Sequence, residues 1–171
     1  MNHTSTPKVP KLVTVIILVC LASTGNAQQR YFAEKPSITF FSDGVVEDIT
    51  ATNHKVTSIF DVLNGDIAYL MSIKDFQFVN KLMQTHFNEK YMESEKFPKS
   101  SFQGKVMGFS YSAGGTQQVK ASGKMTIHGV TRDVEIPGTI EVNGSKLILK
   151  AKFPVPVYDV DTQGLIDLLS N

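Results

Sequence analysis

Val56-Thr57-Ser58-Ile59-Phe60-Asp61-Val62-Leu63-Asn64-Gly65-Asp66-Ile67-Ala68-Tyr69-Leu70-Met71-Ser72-Ile73 reads as two segments with a period of two residues, joined by an Asn-Gly pair. Val56, Ser58 and Phe60 share one side of the first segment, and Ile67, Tyr69, Met71 and Ile73 share one side of the second. Side chains alternate along an extended chain, so each segment presents a single face to a core. Asn64-Gly65 is a strong hairpin signal, because a type I′ turn needs positive φ at both central positions. The stretch predicts two antiparallel strands, and the same pattern recurs on both sides of it.

Upstream, Ile38 and Phe40 begin the alternation, and Val45, Ile49 and Ala51 continue it after a Ser42-Asp43-Gly44 turn. Downstream, the fourth strand runs out near Phe76 to Phe78, and the period changes. Phe78, Leu82, Met83 and Phe87 recur at helical spacing among Lys81, Gln84, Glu89 and Lys90, which predicts a short helical excursion over roughly Asn80 to Tyr91, closed by Pro98. Alternation returns at Phe102, Gly104 and Val106 and breaks at Ala113-Gly114-Gly115. It then runs through Val119, Ala121, Gly123, Met125 and Ile127. His128-Gly129 is read as a tight turn into Val134 and Ile136. Ile140 and Val142 lead to a second hairpin signal at Asn143-Gly144, and Leu147, Leu149, Ala151 and Phe153 form the last clear strand.

Seven or eight strands joined mostly by short turns predict an all-β fold, either an antiparallel up-and-down barrel or a sandwich. A barrel also removes exposed sheet edges. Gly104, Gly108, Ala121 and Gly123 fall on the apolar phase; such small residues fit a barrel that encloses space, or equally strand bends and bulges.

The amino terminus reads differently. Lys8 and Lys11 precede an apolar run from Leu12 to Ala22, and Gly25-Asn26-Ala27 offers a small-residue cleavage site before Gln28. Residues 1–27 are therefore expected to be a signal peptide and 28–171 one folded domain, destined for the periplasm or for secretion. The run is shorter than the roughly 20 residues of a membrane-spanning helix, and no later segment approaches that length. Cys20 lies within the run, so the expected mature chain has no cysteine for a disulfide, thiolate metal site or nucleophile. Removing Lys8 and Lys11 leaves 15 basic residues against 16 acidic ones, a net charge of −1. That balance gives no attraction to nucleic acid or to an anionic membrane surface.

Two blocks carry a family resemblance. The stretch from Leu82 through His86, Phe87 and Phe97-Pro98 to Lys105 resembles the helix-to-strand signature of YceI-like proteins, and Gly123-Lys124-Met125-Thr126-Ile127-His128-Gly129-Val130-Thr131-Arg132 resembles a second signature of that family. The likeness spans about Tyr31 to Asp161, in the form of Bacteroidetes envelope proteins. It implies a lipocalin-like barrel of about eight antiparallel strands, exported, with an internal pocket for a polyisoprenoid or similar amphiphile, including a quinone-like lipid. One departure stands out. After Tyr158-Asp159-Val160-Asp161 the family continues into a closing strand, whereas this chain passes Thr162-Gln163-Gly164 and stops at Asn171. Two expectations follow: a truncated chain, or an open edge covered by the Leu165 to Leu169 segment or by a second copy in a homodimer.

The expected ligand contacts are Phe40, Phe60, Phe102, Phe109, Met125 and Phe153, with Leu82, Met83 and Phe87 from the helix and Arg132 at the mouth to meet a polar head group. Enzymatic chemistry has little to start from. His86 with Glu89 and Glu93 is a weak metal pattern, and His128 is better read as a turn residue than as a catalytic base. No Gly-x-Ser-x-Gly elbow, P-loop or dinucleotide fingerprint occurs. The sequence thus predicts a non-enzymatic binding protein without cofactor or metal. The alternative is an envelope interaction module whose barrel is filled by its own side chains.

Overall fold

The computed structural model describes residues 29–42 and 49–155. The expected signal peptide, Val45 and the segment after Val155 lie outside them. Within them the chain forms strands β1 (Arg30–Phe32), β2 (Ile38–Ser42), β3 (Ile49–Asn53), β4 (Val56–Asp61), β5 (Asp66–Ser72) and β6 (Gln77–Phe78). Helix α1 (Lys81–His86) follows, then β7 (Lys99–Met107), β8 (Gly115–Ile127), β9 (Val130–Asn143) and β10 (Lys146–Ala151).

Seven strands pair antiparallel in the order β1-β4-β5-β7-β8-β9-β10 and make a nearly closed barrel; β2, β3 and β6 make a separate three-stranded sheet. The opening stretch pairs as its pattern requires, with Val56 opposite Met71, Ser58 opposite Tyr69 and Phe60 opposite Ile67. The period-two phase then passes from strand to strand. Tyr69 lies opposite Phe102, Phe102 opposite Met125, and Met125 opposite Arg132, which sets one inward row across four strands.

The turns differ in detail from expectation. The β4–β5 hairpin is a four-residue loop in which only Gly65 has positive φ, because Asp61 organises it instead. The buried Asp61 carboxylate accepts the amides of Leu63 (3.0 Å) and Asn64 (3.2 Å), while its carbonyl accepts the Gly65 amide (2.8 Å). The two-residue β9–β10 loop is Gly144-Ser145 with positive φ at Gly144 alone, the requirement of a type II′ turn. Positive φ at both central residues occurs at His128 (50°) and Gly129 (75°), between β8 and β9.

Gly104 and Gly123 face each other across β7 and β8. A Cβ on Gly123 would lie 2.2 Å from the Gln103 carbonyl oxygen, and one on Gly104 would lie 2.7 Å from the Phe102 ring. These glycines therefore leave no free space. They permit a close approach of two backbones where the sheet coils, which is the bending reading of the small residues.

Among the described residues three apolar clusters form the core. Phe60, Ile67, Phe102, Val106, Ile136 and Ile140 form the buried seam of the barrel. Ile49, Ala51, Phe76 and Phe78 form a second cluster on the small sheet, and Ile73, Tyr91 and Met92 form a third beneath the helical excursion. Phe87 packs against both of the last two. Fully burying a side chain of this size contributes about 1.5–3 kcal/mol.

The excursion forms where the period changes. Asn80 caps α1, its side-chain oxygen accepting the amides of Leu82 (2.9 Å) and Met83 (3.4 Å). Met83 and Phe87, four apart, turn to the second cluster. The helix then widens into a π-helical turn over Phe87–Tyr91, where the Met92 amide reaches the Phe87 carbonyl at 2.9 Å.

Candidate ligand-binding interior

The interior of the barrel has two unlike walls. On β4, β5 and β7 the inward positions Phe60, Ile67, Phe102 and Val106 are buried, with Phe60 only 2% exposed. On β8, β9 and β10 most inward apolar positions stay half-buried: Val119, Ala121, Met125, Val134, Leu147 and Leu149 pack against the core yet keep accessible surface. Register puts them side by side, with Ala121 opposite Ile136, Gly123 opposite Val134, and Val142 opposite Leu147. An inward apolar surface that its own core does not cover is what an apolar ligand requires.

The expected contact residues divide between two sites. Phe60, Phe102, Phe109, Met125 and Phe153 meet in the barrel cluster, where the Phe60 and Phe109 rings are 5.4 Å apart and edge-on. Phe40, Met83 and Phe87 meet instead in the second cluster, with ring centroids of Phe40 and Phe87 6.2 Å apart and of Phe78 and Phe87 4.9 Å apart. Leu82 joins neither and is 61% exposed. Arg132 stands opposite Met125 near the start of β9, on the inward phase and exposed, at the rim beside the His128 turn.

Sequence reasoning missed a tyrosine pair of which one member, Tyr31, packs against the barrel cluster. The Tyr31 hydroxyl donates to that of Tyr111 (3.1 Å), and Gln29 donates to Tyr31 (3.1 Å). The bond with Tyr111 holds the Tyr31 phenol above its ordinary pKa. The pair was hidden because Tyr111 lies on a single 3₁₀ turn, Tyr111–Ala113, that carries no periodic pattern.

Among the described residues, His86 and His128 lie in separate surroundings. His128 Nε2 donates to Glu93 Oε2 at 3.0 Å, and the Phe97 ring packs edge-on against the imidazole with centroids 4.4 Å apart. The turn residue is thus fixed by a carboxylate. Because Glu93 is engaged with His128 beyond the end of the helical excursion, it does not share a helix face with His86. Among the described residues no group of three or more potential metal ligands is gathered.

Depressions among the described residues also open outside the barrel. One, of about 450 Å³, is lined by Lys74, Asn88, Glu89, Glu93, Ser94, Glu95 and Lys96; the other, of about 130 Å³, lies on β4, β5 and β7 around Ile59 and Leu70. The larger is too highly charged for an apolar chain. Among the described residues no helix is long and apolar enough to cross a membrane.

The fold has relatives among solved structures. A polyisoprenoid binding domain from Saccharophagus degradans, implicated in plant cell wall breakdown, aligns with a TM-score of 0.67 at 12% identity, covering 82% of this chain and 87% of that one. The YceI protein of Campylobacter jejuni aligns at 14% identity over 82% of this chain and 60% of its own, with a TM-score of 0.40. BcnA of Burkholderia cenocepacia aligns at 14% identity over 74% of each chain, with a TM-score of 0.46. No curated protein sequence matches the chain. The model of the YceI-like domain matches residues 32–167, in agreement with the two sequence signatures and the antiparallel barrel, and the chain therefore belongs to the YceI-like family.

Proposed function

We propose that this protein is an exported, non-enzymatic carrier that takes the chain of a polyisoprenoid, or of a similar amphiphile such as a quinone-like lipid, into its barrel. The observation that supports this reading best is the half-buried apolar wall of β8, β9 and β10, facing the buried seam of Phe60 and Phe102. A hydrocarbon tail against that wall leaves water at about 0.8 kcal/mol per buried methylene, so affinity grows with chain length and needs few polar contacts. Phe109, Met125 and Phe153 would touch the tail. Arg132, at the rim on the same row as Met125, would meet an anionic or polar head group. Phe40, Met83 and Phe87 would bound the path beneath the helical excursion. The polyisoprenoid-binding relative supports the ligand class.

Cleavage after Ala27 would release the domain to the periplasm or the exterior. The outer edges of β1 and β10 end the seven-stranded sheet and offer a surface for a second copy. One observation favours a different reading: Phe60 and Ile140, 2% and 1% exposed, already fill part of the interior, as an interaction module without ligand would require.

Titration with a fluorescent polyisoprenoid separates the two. The carrier reading expects saturable binding that Met125→Arg weakens on the order of tenfold or more, since it sets a charge into the apolar wall. Equal binding by wild type and Met125→Arg, or none by either, would leave the filled module.

A further inference from the structure

At one end of the barrel a ring enters the interior from a connection rather than from a strand. Between β7 and β8 the chain turns back through Gly108 (φ 81°) and Gly114 (φ 63°), positive-φ positions that favour glycine. Between them Phe109 enters the barrel cluster, where its ring meets Phe60 edge-on at 5.4 Å. Phe60 is the last residue but one of β4, so the two rings meet where β4 gives way to its hairpin. Side chains hold the connection there. The Ser110 amide donates to Gln117 Oε1 and the Ser110 carbonyl accepts from Gln117 Nε2, both at 2.8 Å, which ties the connection to β8. The Tyr111 hydroxyl accepts from Tyr31 at 3.1 Å, which ties it to β1. Both holds follow Phe109 directly in the chain and anchor its ring.

Arg132 stands at the opposite end. Strand β8 runs from Gly115, opposite Val142, to Ile127, opposite Val130, and Met125 faces Arg132 beside the His128 turn. At the other end of β8, Val119 lies beside the connection: a Cβ on Gly108 would be 4.0 Å from the Val119 Cα. Val119, Ala121 and Met125 are half-buried on the inward wall between these ends. From Met125 to Val119 the strand rises about 20 Å. A tail whose head group meets Arg132 therefore follows an apolar wall that ends at Phe109.

We propose that Phe109 is the stop that sets the longest hydrocarbon chain this site accommodates, held in place by the Tyr31–Tyr111 bond and by Gln117. The proposal rests on the carrier reading and gives it a chain-length limit. Short of the stop, every further methylene adds apolar burial, so affinity climbs with length. Beyond it a longer chain must displace an anchored ring or fold back on itself, and the gain ends. Phe109 is then the residue that decides specificity, and Tyr31, Tyr111 and Gln117 position it.

The test is competition of unlabelled polyprenols of increasing length against a fluorescent polyisoprenoid, giving a Kd for each length. For wild type, affinity should climb to a maximum and then level or fall. Phe109→Ala opens the volume of the ring and should move the maximum to longer chains. The affinity of the next longer polyprenol, relative to the one at the wild-type maximum, should then rise at least about fivefold. Tyr111→Phe keeps every ring and removes only the bond to Tyr31; it should move the maximum the same way by less, and it carries the test if circular dichroism shows Phe109→Ala unfolded. A merely structural role would change all lengths alike and leave the maximum where it is. Identical length profiles for wild type and the variants, or a wild-type affinity that rises without a maximum, would overturn the stop and leave the carrier reading standing. Binding of no polyprenol of any length would overturn the carrier reading and the stop with it.

Discussion

His128 and Glu93, 35 residues apart, are bonded through Nε2 and Oε2 at 3.0 Å, and they are the two non-glycine residues with positive φ among those described, at 50° and 39°. Left-handed backbone costs a side-chain-bearing residue roughly 1–2 kcal/mol. Each of these turns is thus held by the other's side chain, and the β8–β9 hairpin is tied to the segment that follows the helical excursion. Phe97 completes the joint, since its ring lies against His128 and would be 2.6 Å from a Cβ on Gly129.

If the joint holds both turns, His128→Ala should lower the unfolding free energy by about 1–3 kcal/mol, because it removes a charge-assisted bond and leaves the strained backbone. His128→Gly, which relieves the backbone but still lacks the bond, should fall between the alanine variant and wild type. Denaturant unfolding measures both. Equal stability of His128→Ala and wild type would show that the bond is incidental.

The two sheet glycines predict a sharp contrast with a loop glycine. Gly123→Ala would place its Cβ against backbone, 2.2 Å from the Gln103 oxygen and 2.4 Å from Gly104 Cα. Neither neighbour can yield without separating β7 from β8, so a loss of about 3 kcal/mol or more, or failure to fold, is expected. Gly114→Ala has nothing within 4 Å and faces only backbone strain, at φ 63° and ψ −179° in a region essentially reserved for glycine, about 1–3 kcal/mol.

Phe87 joins the cluster of the small sheet to the cluster beneath the excursion, with rings of Phe40, Phe76 and Phe78 at 6.2, 5.7 and 4.9 Å. Phe87→Ala should cost about 3–5 kcal/mol and loosen the helical excursion first, since α1 buries little else besides Met83. Hydrogen exchange would report this as loss of protection at residues 81–92 ahead of the barrel strands. Uniform loss would mean that the excursion is not a separate unit.

The tyrosine pair sets a pH dependence. Tyr31 binds its proton more tightly folded than its ordinary value of 10.0 because of its bond with Tyr111. The folded state then holds more protons than the unfolded state above the ordinary value. Its contribution is full below about pH 10 and is lost as pH rises through the raised folded value. Wild type should lose more stability than Tyr111→Phe as pH rises above about 10. Parallel losses would mean that the bond does not shift the titration.

Much of this fold is legible in the sequence because alternation reports directly which side of a strand is buried. Val56 to Phe60, Ile67 to Met71 and Val119 to Ile127 pair with the faces their pattern requires, and the change of period at Phe78 to Phe87 marks the helix. Alternation does not report the partner. Hence β2, β3 and β6 gave no sign that they leave the barrel sheet, and Arg30–Phe32 is too short to show a period at all. Gly104 and Gly123 looked like space because a missing side chain reads the same whether a cavity or a backbone lies beyond it. Among the expected ligand contacts, Leu82 was grouped with Met83 because both fit a helical spacing with Phe78 and Phe87; successive helical residues point in different directions, and only Met83 shares the face of Phe87 that packs on the second cluster.

The most direct test of the carrier reading is native mass spectrometry of the protein purified from its own envelope, followed by organic extraction and identification of any lipid. The account predicts a stoichiometric adduct that releases a polyisoprenoid or quinone-like lipid, from a polypeptide beginning at Gln28. A ligand-free protein that also takes up no added polyisoprenoid would contradict it and leave a barrel filled by its own side chains.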